Sequence, residues 1–453
     1  MTSIFSLPVE VLQHCVGYLD TAALKETRLT SRTFRDVATK SLFDVATIRV
    51  TKGNAETFTA LIKEDEFRPC IRTLYLDACK PGEKLDRDGC YAGYADRRSP
   101  WLQKAVAALD STKLPKLKKL LLDNAHACSD GLCTSINKAV TSLLASASID
   151  IDTVTIKHLQ DSCEPDCRDI KQFPDTLKKL HLLITLWRDQ GGSEYDDELE
   201  CRHDFFNISL NSAWLYPLQS QLTHLTLHCD EYWGLWPKWQ PGQLHFPHLK
   251  FLAFGNWTIA FDWQIDFITS HGETLEQLIF TCCPILHAVD MTPKQLNNTY
   301  RVHLGTQRGR GVTHVTFPDL RWHNVLPDFK RKLPKLRHFS MARGPKEIHY
   351  WNQVNLSCDE AFDDRYTQVP CIDVWRYAIF DLKVAEHVDI TTDLGKNVMK
   401  MELKPRNPYT RYTGSGWLER ADEETRKKVQ YPDCLEEDQE ALDELLAACK
   451  SRC

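Results

Sequence analysis

Residues 7–19 place Leu7, Val11, Leu12, Cys15, Val16 and Leu19 at helical spacing, giving one apolar stripe on a polar segment. Pro8 suits the first turn of that helix, Ser6 is a candidate cap, and Glu10 complements the positive end of the helix dipole. A second short helix is predicted from Asp20, with Ala23, Leu24, Thr27 and Leu29 facing inward. A third follows Ser31, with Phe34, Val37, Ala38, Leu42 and Phe43 on its apolar side. Three short helices bury too little to stand alone. Such a unit is expected to finish its packing against a partner or the next domain.

Beyond residue 44 the pattern becomes a recurring phrase, apolar–x–x–apolar–x–apolar. It reads Val45, Ile48, Val50; Ile71, Leu74, Leu76; Leu117, Leu120, Leu122; Ile151, Val154, Ile156; and Leu177, Leu180, Leu182. It continues as Leu222, Leu225, Leu227; Leu249, Leu252, Phe254; Leu275, Leu278, Phe280; Val312, Val315, Phe317; and Leu336, Phe339, Met341, with Ala385, Val388, Ile390 as a further candidate. Several starts lie 24 to 27 residues apart, inside the leucine-rich-repeat period of about 20–29. Each phrase reads as one strand whose alternate residues point to opposite faces. Stretches between phrases, such as 101–112 and 132–147, read as helices packed behind the sheet. The asparagine that often follows such a strand is mostly absent, with Asn124 and Asn256 the nearest matches. An ordinary α/β domain with parallel strands is the alternative. Against it, the chain has no glycine-rich phosphate loop and no helices of uniform length between strands.

Residues 350–453 break this rhythm. A loop is predicted at 405–416, then two charged helices. The second, 434–449, carries Leu435, Leu442, Leu445 and Leu446 among many acids. It is read as a cap on the open end of the array, with a mobile partner-binding helix as the other reading.

The N-terminal segment resembles an F-box. Leu7-Pro8, Glu10, Leu12 and Leu19 match that family's opening helix. Leu24, Leu29, Ser31, Arg32, Phe34 and Arg35 match its later pattern, and Phe43 its closing aromatic. Cys15 stands where the family usually has isoleucine or valine, and Phe34 where many members have tryptophan. With the array, the chain resembles F-box proteins with leucine-rich repeats of the irregular type common in fungi. The fold class implied is α/β: a three-helix F-box over 1–45 and an irregular leucine-rich-repeat solenoid over 46–345. The solenoid would carry parallel strands on its concave face and helices or loops on its convex face, followed by an irregular region with capping helices over 346–453. By resemblance, the F-box binds a Skp-family adaptor and, through it, a cullin. Leu7, Pro8, Leu12, Cys15, Leu19 and Leu24 are the expected adaptor-binding residues. The array would hold the target of a ubiquitin ligase. A scaffold that uses both parts without ubiquitin ligation is the alternative.

Composition narrows the chemistry. A 42% hydrophobic, 26% charged chain is globular rather than disordered. A net charge of −6 gives no global argument for nucleic acid or an anionic membrane. No apolar run spans a bilayer, and the first twenty residues lack a secretory signal. Seventeen scattered cysteines then read as reduced thiols of a cytoplasmic or nuclear protein. Cys128 with Cys133, Cys163 with Cys167, and Cys282 with Cys283 lack the paired knuckles of a zinc site, so no metal or cofactor is expected. Nothing singles out a catalytic cysteine. The GSG at 414–416 is not a nucleophile elbow. The RGRG at 308–311 is too short for a nucleic-acid module. No catalytic residue is assigned.

Two candidate target-binding features remain. Around the phrases from Ile71 to Leu336, the x positions hold Arg72, Lys118, Lys119, Lys157, Lys178, Lys179, Lys250 and Arg337. Their acids are Asp77, Asp123, Asp152 and Glu276, and His181 and His224 are among their histidines. A mildly positive concave face is expected, suited to an acidic or phosphorylated target segment. Lysines that merely solvate the sheet are the bland reading. The second feature is the aromatic loop 231–246, where Trp233 and Trp236 are candidate anchors. The acidic stretch 194–200 reads as a solvated insertion.

Overall fold

The computed structural model describes residues 4–49, 52–77, 114–124, 144, 150–161, 173–185, 204–235, 237–291, 305–309, 312–316, 320–342, 376–381 and 432–453. The predicted helices at 101–112 and over most of 132–147, the acidic stretch 194–200, the phrase at 385–390, the loop 405–416 and Trp236 lie outside them. The chain divides into two compact units. The first holds 1–158, 164–181 and 355–358; the second holds 159–163, 182–354 and 359–453.

The first unit opens with a single 3₁₀ turn, Ile4–Ser6. Then come α1 (Val9–Gly17), α2 (Thr21–Thr30) and α3 (Arg32–Leu42). Pro8 is the residue that precedes α1 rather than part of its first turn, and no side chain caps that helix. Asp20 and Ser31 supply the caps of the next two, accepting from the Ala23 N–H at 2.7 Å and the Phe34 N–H at 3.2 Å. Four parallel strands follow in chain order: β1 (Val45–Arg49), β2 (Thr73–Asp77), β3 (Lys119–Asp123) and β4 (Thr153–Gln160). A helix α4 (Lys52–Leu61) joins β1 to β2. Ala46, Leu74, Leu120 and Val154 share one register line, and Ile48, Leu76, Leu122 and Ile156 the next. All eight are buried, so the apolar phrase is the inward face of each strand.

The first phrase is displaced by two residues from its expected place. Val45 pairs with Thr73, which makes Phe43, Ala46 and Ile48 the equivalents of Ile71, Leu74 and Leu76. The closing aromatic of the helical segment thus doubles as the first residue of the strand array. Phe43 packs against Phe67, with ring centroids 4.3 Å apart.

The chain passes between the units within β4 and β5 (Lys179–Thr185). In the second unit a π-helical segment, Phe205–Leu215, precedes β6 (His224–Trp233), β7 (Phe251–Trp257), α5 (Asp262–Thr269) and β8 (Gln277–Thr281). Next come β9 (Ile285–Met291), β10 (Gly305–Gly309) and β11 (Val312–Thr316). The described part closes with α6 (Trp322–Lys332), β12 (His338–Ala342), β13 (Tyr377–Asp381) and α7 (Leu435–Ser451). Strands β6, β7, β8 and β12 are parallel neighbours, with Leu225, Leu252, Leu278 and Phe339 in line. Within each unit the strands therefore follow a solenoid-like α/β order. The phrase at Val312 does not belong to it. Strand β11 runs antiparallel to β9 and β10 in a second, four-stranded sheet that β13 completes.

The position two residues past the apolar phrase is special even where it is not asparagine. His158, Asn256 and Cys282 have φ of 54°, 55° and 53°. Asn256 tolerates this left-handed turn and donates from Nδ2 to the Cys229 carbonyl at 2.7 Å.

Candidate functional site

The N-terminal helices form a core of Leu12, Val16, Leu24, Val37 and Ala38, edged by Phe34 and Leu42. Two expected docking residues are therefore interior. Leu12 is 2% exposed and Leu24 is 7% exposed, because both lie on the faces where α1 and α2 meet α3. The other four lie outside: Leu7, Pro8, Cys15 and Leu19 are all exposed. Around them the surface is apolar to an unusual degree. Ile4, Leu7, Val9, Val11, Tyr18, Leu19 and Leu29 are exposed, and only Ile208, Tyr216 and Leu435 join them among the large apolar side chains of the described residues. Tyr18 and Leu29 reach 77% and 82% exposure. Val9 lies off the single stripe predicted for α1, whereas Val11 belongs to that stripe yet faces solvent; Ile4, Val9 and Tyr18 add to the exposed face without having been among the expected docking residues.

Arg28 ties this bundle together. Its Nε donates to Thr39 Oγ1 at 2.9 Å, and its guanidinium lies 5.5 Å and 5.9 Å from the Phe43 and Phe67 ring centroids. The exposed face is thus carried on a helical platform braced against the first strand segment.

The expected positive strand face takes a different form. All eight residues of β4 are buried, as are Leu121 in β3, Ala253 in β7 and Ile279 in β8. Both faces of these strands are therefore covered, and the charged groups at Asp123, Lys157 and His158 are paired rather than displayed. Asp123 accepts from the Tyr75 hydroxyl at 3.1 Å, lies 2.8 Å from His158 Nδ1 and 3.6 Å from Lys157 Nζ. Burial alone would raise its pKa. The His158 ring, the Lys157 ammonium and the Tyr75 hydroxyl outweigh burial and bring the carboxyl below its ordinary value. Lys157 and His181 are buried, which removes them as target contacts in this conformation.

The basic residues that reach solvent sit at the starts of strands, next to acids. Lys118 pairs with Asp150, Arg72 lies 3.7 Å from Asp44, and Lys250 lies 3.2 Å from Glu276. Asp44 and Asp150 fall outside the x positions, so the local charge is more balanced than that count implied. Lys118, Lys119 and Lys179 are partly exposed and Lys178 exposed, all in the first unit. His224, in the second unit, is partly exposed and stacks on Phe251.

The aromatic loop is a core element instead of a protruding one. Trp233, Trp239 and Trp257 are fully buried around Phe254. Trp233 Nε1 donates to the Gly255 carbonyl and Trp239 Nε1 to Asn211 Oδ1, each at 2.8 Å. Indole nitrogens with such partners anchor cores. Trp233 is therefore no target anchor.

Cys282 is partly exposed, Cys283 is buried, and burial pushes the Cys283 thiol far above its ordinary pKa. The other paired cysteines named above lie outside the described residues. No described helix is long and apolar enough to cross a membrane.

No curated protein matches this chain. Residues 4–45 match the family model of the F-box domain, a span that contains α1, α2, α3 and the exposed apolar face. F-box domains generally bind Skp-family adaptors and are generally found in non-catalytic adaptor proteins. The chain thus carries an N-terminal F-box domain, followed by parallel strands in a solenoid-like α/β arrangement.

Proposed function

We propose that this chain is the substrate-recognition subunit of an SCF-type cullin–RING ubiquitin ligase. The observation that carries this reading is the concentration of exposed apolar side chains within residues 4–29, inside the segment that matches the F-box domain. Burying an aliphatic side chain completely contributes roughly 1.5–3 kcal/mol, and Leu7, Val9, Val11 and Leu19, already partly covered, each contribute a fraction of that. A few of them suffice to dominate an interface. Leu7, Pro8, Cys15 and Leu19, with Val9, Val11 and Tyr18 beside them, are the proposed adaptor contacts.

The strand units and the C-terminal region hold the target. Lys118, Lys119, Lys178 and Lys179 are the proposed contacts for an acidic or phosphorylated target segment. Ubiquitin transfer then works by proximity: the tethered target lysine meets the loaded conjugating enzyme at high effective concentration. On this reading the chain supplies no acid, base or nucleophile, and it acts in the cytoplasm or nucleus.

Affinity capture under proteasome inhibition tests this. The wild-type chain is expected to retain adaptor, cullin and a set of targets. Leu7→Asp with Leu19→Asp is expected to lose adaptor and cullin while keeping the targets. Capture of adaptor without cullin would instead indicate a scaffold without ligase function.

A further inference from the structure

A mixed set of metal-ligand side chains converges in the second unit, away from the F-box domain in sequence. His323 is the second residue of α6, Cys434 immediately precedes α7, and Asp438 lies one turn into that helix. Their ligand atoms all lie within 4.8 Å of one another. His323 Nδ1 is 3.0 Å from Asp438 Oδ1, and Cys434 Sγ is 3.4 Å from Oδ2. The Tyr377 hydroxyl, at the start of β13, is 3.5 Å from Sγ and 3.0 Å from Oδ2. Asp438 is fully buried and His323 is 30% exposed at its side chain.

A hydrogen-bonded clasp explains part of this set. Asp438 accepts the His323 backbone N–H at 2.9 Å and Arg376 Nε at 2.9 Å, and the Tyr377 hydroxyl bridges its two oxygens. Those donors already balance the carboxylate. A thiol adds only a weak donor to a carboxylate that already accepts from the His323 N–H, Arg376 and Tyr377. For a clasp alone, sulfur is a poor choice at position 434. Sulfur, imidazole nitrogen and carboxylate oxygen in one cluster are instead the donors of a borderline-soft divalent ion. Bonds of about 2.0–2.3 Å place tetrahedral ligands roughly 3.3–3.7 Å apart, and one ligand atom from each of the three residues already lies within 4.8 Å of the other two. Arg376 holds Oδ2 and so orients the carboxylate, as outer-shell partners of metal ligands do.

We propose that His323 Nδ1, Cys434 Sγ and Asp438 Oδ1 bind a zinc-class divalent cation, with the Tyr377 hydroxyl or a solvent molecule as fourth ligand. Binding releases the Cys434 proton and moves the His323 ring proton from Nδ1 to Nε2. The Arg376 charge opposes the cation and moderates the affinity. The ion would pin α7 to α6 and to the start of β13, so its role is structural.

The test uses the purified full chain, stripped of metal, then given Co²⁺ or Zn²⁺ alone. One Co²⁺ per chain with a thiolate-to-cobalt charge-transfer band is expected, and Zn²⁺ should raise the melting temperature. Cys434→Ser keeps a donor to Asp438 and preserves the clasp. It should lose the band and most of the zinc-induced shift. Absence of the band from the wild type overturns the proposal, as does a zinc-induced shift that is equal in wild type and Cys434→Ser.

Discussion

Leu7 and Leu12 sit five positions apart in one amphipathic stretch, yet different forces act on them. Leu12 fills the three-helix core, so Leu12→Ala should destabilise the first unit by about 2–5 kcal/mol in a denaturant titration. Leu7→Ala, at an exposed position, should change stability by no more than about 0.5 kcal/mol while weakening adaptor binding. Buried histidines give a second residue-level test. Burial drives the pKa of His228 down to about 4, and burial together with the nearby His245 brings that of His271 to about 4. His271 must also stay neutral because its Nε2 accepts the Phe246 N–H at 3.2 Å. Both rings gain protons in the unfolded chain near pH 6.5, before they do in the folded one. Stability is therefore full above that pH and falls as the pH drops toward 4, by roughly 3 kcal/mol per ring at the low end. Urea titrations at neutral and acid pH should show this fall, and His271→Gln should make it shallower. A slope unchanged by His271→Gln contradicts the assignment. Gly255 carries a steric test of the same region. A Cβ there would lie 1.9 Å from the His228 ring, so Gly255→Ala should cost about 2 kcal/mol or more.

At the scale of elements, the strand array was largely readable because its phrase has the period of a strand and buries both spaced residues. Leu120 with Leu122, and Leu225 with Leu227, fall where the pattern put them. The failures have physical causes. At β1 the inward residue is Ala46, which a search for large or β-branched residues passes over in favour of Val45 and Val50. At β11 the phrase is genuine strand, but pairing direction is decided by neighbours that a local pattern does not encode. Burial of both strand faces was equally hidden, because Thr153, Thr155 and Lys157 look like solvent-facing positions until what covers them is known. The C-terminal helix offers a test at this scale. Arg452 donates to the Lys330 and Leu333 carbonyls at the end of α6 and to the Leu336 carbonyl in the turn beyond it, and α7 packs along that helix. Arg452→Ala leaves those carbonyls without this donor and should destabilise by about 1–3 kcal/mol. Amide hydrogen exchange in α7 should rise while exchange in β6 to β8 stays slow.

At the scale of the molecule, the F-box domain was legible because its motif is a long ordered series, Leu7-Pro8 through Phe43, that a surface helix rarely reproduces. The division of that motif into core residues and exposed residues was not legible. One stripe of Leu and Val supplies both, and only the positions of α2 and α3 decide which side each residue takes. The charge of the strand starts was the least legible in sequence, since Asp44 and Asp150 act from outside the strand phrases. The central claim is that the exposed apolar face of residues 4–29 docks a Skp-family adaptor and thereby a cullin. Size-exclusion chromatography of the purified chain mixed with adaptor and cullin measures this directly. A single peak containing all three is expected for the wild type. Leu7→Asp with Leu19→Asp, verified as folded by circular dichroism, should elute apart from the adaptor–cullin pair. A wild-type chain that elutes alone, or a variant that still co-elutes, contradicts the account.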